Sequence, residues 1–412
     1  MKIVFVNNQY QLGGAETVVQ QLHFGCLRAG HQSELHVADG KTYPRVPGLV
    51  PMYPRWMSRM GHSTIGPLFD MVFPRYRRTD RAFRRLADSE ADLVHIHSFH
   101  GIYASLESLA AVAARKPVLW TFHRFWGITG GCDHPFDCTR YLTACGQCPR
   151  VGEWPIGPVD RTAEELQRKL ALLAPAPLHI ISPSRHLAEK VKNSPVGKKW
   201  DVHHIPNGVD PAGFSARRKP DPAFRKSFNI PAGATSVLVV NRNFHDPIKG
   251  WGTIRQALQA LPPEGAHLLL AGGNSDRAAA TLPAGWRCTN LGYISSRERL
   301  GELYEAADIF LYASPGENYP CVILEAMSAE CCIVSTPTDG VREQIEHGRS
   351  GLFARDMSGV SLAAALREAL ANPARCRELG RHARERVERE LSEQAMVKRH
   401  LELYEQLLAK RN

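Results

Sequence analysis

The chain has 412 residues, 43% hydrophobic and 22% charged, with 28 prolines. That is an ordinary globular composition on a length too great for one core, so two or three domains of about 150 residues each are expected. A net charge of +10 and a pI near 9.2 favour an anionic partner (nucleic acid, nucleotide or acidic membrane surface) without choosing among them.

The opening MKIVFVNNQYQLGG has one Lys and a four-residue apolar run, which is too short for a secretory leader. No stretch reaches about 18 uninterrupted apolar residues, so no spanning helix is expected. The expected location is cytoplasmic, with peripheral association at the inner face of the membrane. The ten cysteines are then mostly reduced thiols.

In chain order, short apolar, β-branched runs end in Gly, Asn, Ser or Pro and alternate with stretches of helical period. The first series is KIVFVN (2–7), SELHVAD (33–39), LVHIHS (93–98), VLWTFH (118–123), HIISPS (179–184) and VHHIPN (202–207). The second is SVLVVN (236–241), HLLLAGG (267–273), TNLGY (289–293), IFLYAS (309–314), CIVST (332–336) and GLFA (351–354). Such runs read as strands buried on both faces in parallel sheets.

A Pro-, Gly- and charge-rich stretch at 205–222 separates the two series and places a boundary near residue 210. Two doubly wound α/β domains are expected, 1–210 and 211–389, with ligands outside the carboxyl ends of the strands. A last amphipathic helix within 390–412 carries Val397, Leu401, Tyr404 and Leu408 at helical spacing. Thr162 and Glu165 form a capping-box pattern ahead of Leu166, Leu170 and Leu173. Between 41 and 91, Arg55, Arg59, Arg75, Arg77, Arg78, Arg81, Arg84 and Arg85 are interleaved with Trp56, Met57, Phe73, Tyr76 and Phe83. This pattern fits an anionic membrane surface, and equally a solvated basic helix packed on the sheet.

Chemistry is sought at the strand ends. Gly13 and Gly14 precede a helix after the first strand, which suits either close approach of an anion to free N–H groups or a plain tight turn. Arg242 and Lys249 flank the loop after the first strand of the second series, as a diphosphate requires, although two loop cations are also ordinary. In GENYPCVILEAMSAE (316–330), Glu317, Asn318 and Tyr319 lie before a helix whose first turn is expected at Pro320. N–H groups near Cys321 and Val322 then face a ligand, with Glu325 about a turn and a half further on. Two carboxylates so placed can each accept two hydrogen bonds from adjacent sugar or ribose hydroxyls. His123 ends its strand, where it can donate to a substrate or serve structure alone. His95, His97 and His100 look like a metal cluster but lack a carboxylate ligand beyond Asp92, which argues against metal.

The order GGAE, DLVHIHS, TFH, SPSRHL, IPNGVD, IKGW, LAGG, LGYIS, LYEAADIFLYASPGENYPCVILEAMS and DGVREQIEHGRSGLF resembles the retaining glycosyltransferases of the GT-B fold, specifically glycosyltransferase family 4 of the exopolysaccharide and O-antigen type. The resemblance covers nearly the whole chain. It implies two Rossmann-like domains facing a central cleft, an N-terminal acceptor domain on which the last helix packs back, and a C-terminal nucleotide-sugar domain. The implied donor is a UDP- or GDP-sugar, and the implied acceptor a lipid-linked glycan.

Carried over by position, Gly13 and Gly14 lie against the diphosphate and donor sugar, Arg242 and Lys249 bind the phosphates, and His123 contacts the sugar. Glu317 holds donor hydroxyls with the backbone of Asn318, Tyr319 and Pro320. Val322 belongs to the same donor site, Glu325 holds the ribose, and Ile294 lies near the base. No Asp-x-Asp motif is visible at these sites, in keeping with a reaction that needs no catalytic cofactor. Two departures stand out. Six residues separate Arg242 from Lys249, longer than the common loop, which puts the alignment of Arg242 in doubt. Cys132, Cys138, Cys145 and Cys148 form a C-x5-C-x6-C-x2-C array that suits a structural zinc, free thiols or an oxidised pair. The rival readings are a GT-B enzyme acting on a small soluble sugar or sugar phosphate, and a non-catalytic nucleotide- or nucleic-acid-binding protein. Against the last, no nucleic-acid-binding signature is present.

Overall fold

Alternating apolar runs and amphipathic helices build two separate parallel sheets. The structure, a computed structural model, describes residues 1–11, 13–38, 46–52, 75–100, 103–214, 219, 221–263 and 265–410, with the backbone alone at 75–78. The chain divides into two units, Met1–Pro206 with Met396–Asn412, and Asn207–Ala395.

The first unit holds β1 (Lys2–Asn7), β2 (Gln32–Val37), β3 (Leu49–Pro51), β4 (Leu93–Ile96), β5 (Val118–Thr121), β6 (Leu178–Ser182) and β7 (Asp201–His204), in the order β3-β2-β1-β4-β5-β6-β7. All pairs are parallel, and Phe5 sits level with Leu35 on one side and His95 on the other. β3 was not expected. It is a three-residue edge strand ending in Pro51, too short to show alternation, and proline is tolerated there because an edge strand need not donate.

The second unit holds β8 (Thr235–Asn243), β9 (Ala266–Gly273), β10 (Cys288–Gly292), β11 (Ile309–Tyr312), β12 (Cys332–Ser335) and β13 (Leu352–Phe353), in the order β10-β9-β8-β11-β12-β13. Its sheet is covered on both faces. Val237, Val239, Leu268, Ile309 and Leu311 enter one core, while Leu238, Leu269, Phe310 and Ile333 enter the other. That is why these strands read as continuous apolar runs. In both sheets the strand order reverses beside the first strand, between β1 and β4 and between β8 and β11, so the loops that follow these strands diverge and leave room for a ligand.

Three local expectations change. The helix Thr162–Leu172 has no side-chain cap; the Thr162 hydroxyl instead donates to Asp160, so the capping box does not form. Pro320 is the N-cap of the helix Cys321–Ser328 rather than a residue of its first turn. The last helix, Glu393–Ala409, buries Met396, Val397, His400, Leu403, Tyr404 and Leu407, so Leu401 and Leu408 flank the buried stripe. Gly25 lets this helix touch Gly14–Arg28, since a Cβ there would lie 2.5 Å from a Val397 methyl.

Of the basic and aromatic run, Arg55, Trp56, Met57, Arg59 and Phe73 lie outside the described residues, as do the side chains of Arg75, Tyr76, Arg77 and Arg78. The described part of the helix Arg75–Arg84 buries Phe83 against Phe99 and Tyr103 and leaves Arg81 and Arg84 exposed, like a basic helix packed on a core. No helix among the described residues is long and apolar enough to cross a membrane.

Candidate active site

In the second unit the loops after β8 and β11 meet at the point where strand order reverses. Lys249 ends a short 3-10 turn, and Gly250 follows it in the left-handed region with φ 73°. A Cβ on Gly250 would fall 2.1 Å from the Ala313 carbonyl oxygen, so glycine alone lets the Lys249 loop close onto the end of β11. The Ser314 hydroxyl donates to the Ile248 carbonyl, and Thr338 donates to Ser314 in turn. Held in this way, the Lys249 ammonium forms a short ion pair with Glu317, both side chains being about one-fifth exposed. Tyr312 also hydrogen-bonds Glu317, and burial beside that carboxylate holds the phenol in its neutral form.

Glu317 and Asn318 are braced from behind. A Cβ on Gly340 would lie 1.5 Å from the Asn318 carbonyl oxygen, Asn207 donates to the Tyr319 carbonyl (3.0 Å), and Gln344 donates to that of Pro320 (2.9 Å). The helix Cys321–Ser328 that follows has no side-chain cap, and the positive end of its dipole suits an anion. One turn in, Glu325 accepts a 2.9 Å hydrogen bond from Tyr304, and burial raises the pKa of its carboxyl group. Val322 and Ile294 pack partly buried against the same core.

Arg242 is placed differently. β8 extends to Asn243, and its register against β9 shifts between Val240 and Asn243, so Arg242 sits on a bulge at the strand's end. It is exposed and has no ion-pair partner among the described residues, and the structure does not join it to Lys249 and Glu317.

In the first unit Gly13 caps the helix Gly14–Arg28 without a side-chain bond, and the positive end of that helix dipole suits an anion. Gly13 has extended backbone (φ −169°), and a Cβ there would meet only the Glu16 carboxylate at 3.3 Å. His123 follows β5. Its Nε2 lies 3.0 Å from His97 Nδ1, and burial, reinforced by Arg124, lowers its pKa to about 3. His95 lies between Tyr404 (2.6 Å) and Thr121 (2.7 Å), and His400 stacks on it at 5.6 Å. The apparent metal cluster is therefore a buried network of neutral imidazoles, in which burial holds His95 and His97 well below the usual histidine range. His100 faces Asp133 instead, at 3.2 Å.

The four cysteines of the insertion are free and partly buried. They line one small cavity of about 20 Å³ together with Arg140, Tyr141 and Ile156. Burial and the neighbouring thiols push Cys132 up to about 11. The positions given no role in sequence are Tyr304, Tyr312, Gly340 and the buried Lys169, and His97 reads there only as part of an apparent metal cluster. No spacing marks their roles; each acquires its place only when separate strands and helices are brought together.

Residues 12–212 match the family described as Glycosyltransferase Family 4, and residues 220–386 match the one described as Glycosyl transferases group 1. Together the matches span both units. The chain belongs to the family 4 glycosyltransferases. This transferase is 26% identical over 366 residues to an Escherichia coli (strain K12) protein that carries the name colanic acid biosynthesis glycosyl transferase WcaC, covering 84% of the chain and 85% of that protein. It is 25% identical over 373 residues to the phosphatidyl-myo-inositol mannosyltransferase of Mycolicibacterium smegmatis, covering 86% and 80%. Among solved structures it resembles sucrose-phosphate synthase from Thermosynechococcus elongatus (TM-score 0.74, 22% identity, 99% of each chain). It also resembles Anabaena HepE in complex with UDP and glucose (TM-score 0.69, 16% identity, 98% and 99%). Its two parallel-sheet units are those of the GT-B fold.

Proposed function

We propose that the transferase moves a sugar from a UDP- or GDP-sugar to a lipid-linked glycan, with retention of anomeric configuration, in the synthesis of a cell-surface polysaccharide. The observation that carries this is the Lys249–Glu317 pair beside an uncapped helix end, with Glu325 one turn deeper. A nucleotide-sugar needs these groups in this order: a cation for the diphosphate, a carboxylate for sugar hydroxyls, amides for anionic oxygen and a second carboxylate for the ribose diol. The names of the relatives support the acceptor class, one pointing to an exopolysaccharide and another to a phosphoinositide lipid. UDP and glucose in the HepE structures favour a uridine donor.

In the proposed reaction the bond from the anomeric carbon to the diphosphate breaks, and the acceptor oxygen bonds to that carbon on the same face. The acceptor's proton passes to the departing phosphate oxygen. Lys249 and the amide end of Cys321–Ser328 offset the charge that develops on the diphosphate, and His123 and Glu317 fix the sugar. Gly13 and Gly14 offer the first unit's amide end to an anionic oxygen, while Arg242 is a further cation for the phosphates. Neither a metal ion nor an organic cofactor takes part in this scheme. The enzyme works on the cytoplasmic side of the membrane, and the basic, aromatic segment 41–91 makes the surface contact.

The test is a thermal-shift series with UDP, GDP and ADP and their sugar conjugates, without added divalent metal. A nucleotide that binds only the folded state raises the melting temperature. One nucleotide family should stabilise the wild type, and Glu325→Ala should weaken the effect. Product analysis by NMR then reads the anomer. An inverted product, or no response to any nucleotide with or without acceptor, would refute the proposal. Turnover on a soluble disaccharide but not on a lipid-linked glycan would replace the acceptor class with a small sugar.

A further inference from the structure

Between the end of β5 and the helix Thr162–Leu172, residues 122–161 contain no strand and no α-helix, only the 3-10 turns Trp126–Ile128 and Arg140–Leu142. A stretch of that length without regular structure is uncommon in a compact unit unless something staples it. Phe125, Trp126, Ile128 and Tyr141 anchor it on the core of the first unit, but Phe136, Leu142, Val151, Trp154 and Val159 are exposed, so the cysteine-bearing part has few apolar anchors of its own. The four cysteines do point inward, onto a single cavity.

The backbone around them is shaped for this. Gly146 (φ 119°) and Gln147 (φ 48°) fold the C-x2-C turn back on itself, and the Arg140 guanidinium holds their two carbonyls. The Cys148 amide donates to Asp160 at 2.7 Å. Gly130 packs so tightly that a Cβ would lie 2.8 Å from that of Cys145.

Lys169 completes the argument. It is fully buried, its ammonium donates to the Trp126 and Thr129 carbonyls (2.6 and 2.9 Å), and it lies 3.4 Å from the centroid of the Trp126 ring. It has no carboxylate in hydrogen-bond reach among the described residues, and an unbalanced buried ammonium is costly. Four thiolates around one divalent ion leave two surplus negative charges, and Lys169 and Arg140 supply two positive ones.

We propose that Cys132, Cys138, Cys145 and Cys148 bind one zinc ion as a structural tetrathiolate, with Lys169 and Arg140 as its charge partners. No three of the four sulfurs now lie within 4.8 Å of one another; the one group of ligating atoms that close among the described residues is His179, Asp201 and His203. Zinc at about 2.3 Å from each sulfur draws the set together around the cavity. The bound loop then fixes Asp133, next to Cys132, whose carboxylate holds Arg124 at 2.6 Å and His100 at 3.2 Å beside His123. The ion is thus a brace for the strand end that carries His123 and takes no part in sugar transfer.

The test is metal analysis of the full chain, purified from zinc-supplemented cells without chelator or histidine tag, together with cobalt exchange. The wild type should hold about one zinc per chain and, with cobalt, show the intense charge-transfer and d–d bands of a tetrahedral thiolate site. Cys145→Ser/Cys148→Ser should lose the metal, whereas His203→Ala should keep it. If the serine pair fails to fold, Cys138→His, which retains four ligands, should keep one metal and shift the cobalt bands. Protein free of metal with four titratable thiols, a disulfide within the set, or zinc that departs with His203→Ala would each overturn the proposal.

Discussion

His97 Nδ1 lies 3.0 Å from His123 Nε2, while His97 Nε2 is buried without a hydrogen-bond partner among the described residues. A buried N–H without an acceptor is rarer than a bare lone pair, so the His97 proton sits on Nδ1 and is donated to His123. His123 then carries its own proton on Nδ1, the nitrogen left to meet a ligand. His97 is a positioning residue that sets the tautomer of His123. His97→Ala should lower kcat about tenfold, the worth of one hydrogen bond, with the donor KM unchanged. His97→Asn, which can still donate, should restore most of the loss. Equal kcat in the wild type and the alanine variant would remove this role from His97.

Lys249 and Glu317 pair at the reversal point of the second sheet, partly open to solvent, so their bond adds little to stability. Their effect on rate should be large. Lys249→Ala should cost about 10²–10³ in kcat, as loss of one preorganised charge does, with the melting temperature nearly unchanged. Glu317→Gln should lose activity as well and tolerate a donor lacking the hydroxyl that it grips. Full turnover by both variants would move the diphosphate site elsewhere.

Much of this was legible in sequence because both sheets are buried on both faces, and their strands show as β-branched runs that end in turn residues. Glu317 and Lys249 were legible because each sits in a loop between a strand and a helix, and Glu325 because it lies one turn into the helix that follows Glu317. The His97–His123 contact was not, since it depends on the β4–β5 register that sets Ile96 beside Trp120. Arg242 was read as a loop residue because nothing local marks the bulge. The Thr162 box was overruled by Asp160, two residues upstream, which offered a charged acceptor.

The buried imidazoles make the first unit acid-sensitive. Burial lowers His400 to about 4 in the folded chain and holds His95 and His97 well below the usual histidine range, against about 6.5 when unfolded. The unfolded chain therefore binds more protons once pH falls below 6.5, and stability drops with acidification rather than rising. Each such group costs about 2 kcal/mol between pH 6.5 and pH 5. Urea unfolding of the first unit at pH 7.5 and pH 5 should show this loss, and His400→Gln should reduce it. Equal midpoints at the two pH values would contradict the neutral network.

Gly340 is the residue on which the donor loop rests. A Cβ at that position would fall 1.5 Å from the Asn318 carbonyl oxygen and 2.4 Å from its carbon, both backbone atoms that no rotamer change can move away. Gly340→Ala must push the 317–318 backbone outward, since Gln344 still ties Pro320 to the same helix. Tyr319 and Val341, next to this contact, belong to a core of the second unit, so the variant should lose about 1–3 kcal/mol, typical of overpacking. The displaced Glu317 should raise the donor KM at least about tenfold, because sub-ångström placement governs the reacting geometry. Gly348→Ala is the control: a Cβ there meets nothing within 4 Å among the described residues, so it carries only the backbone cost of a residue at φ 74°, a cost Gly340 does not have, and should leave KM alone. If Gly340→Ala binds the donor as the wild type does, Glu317 is not held by this contact and the bracing argument fails.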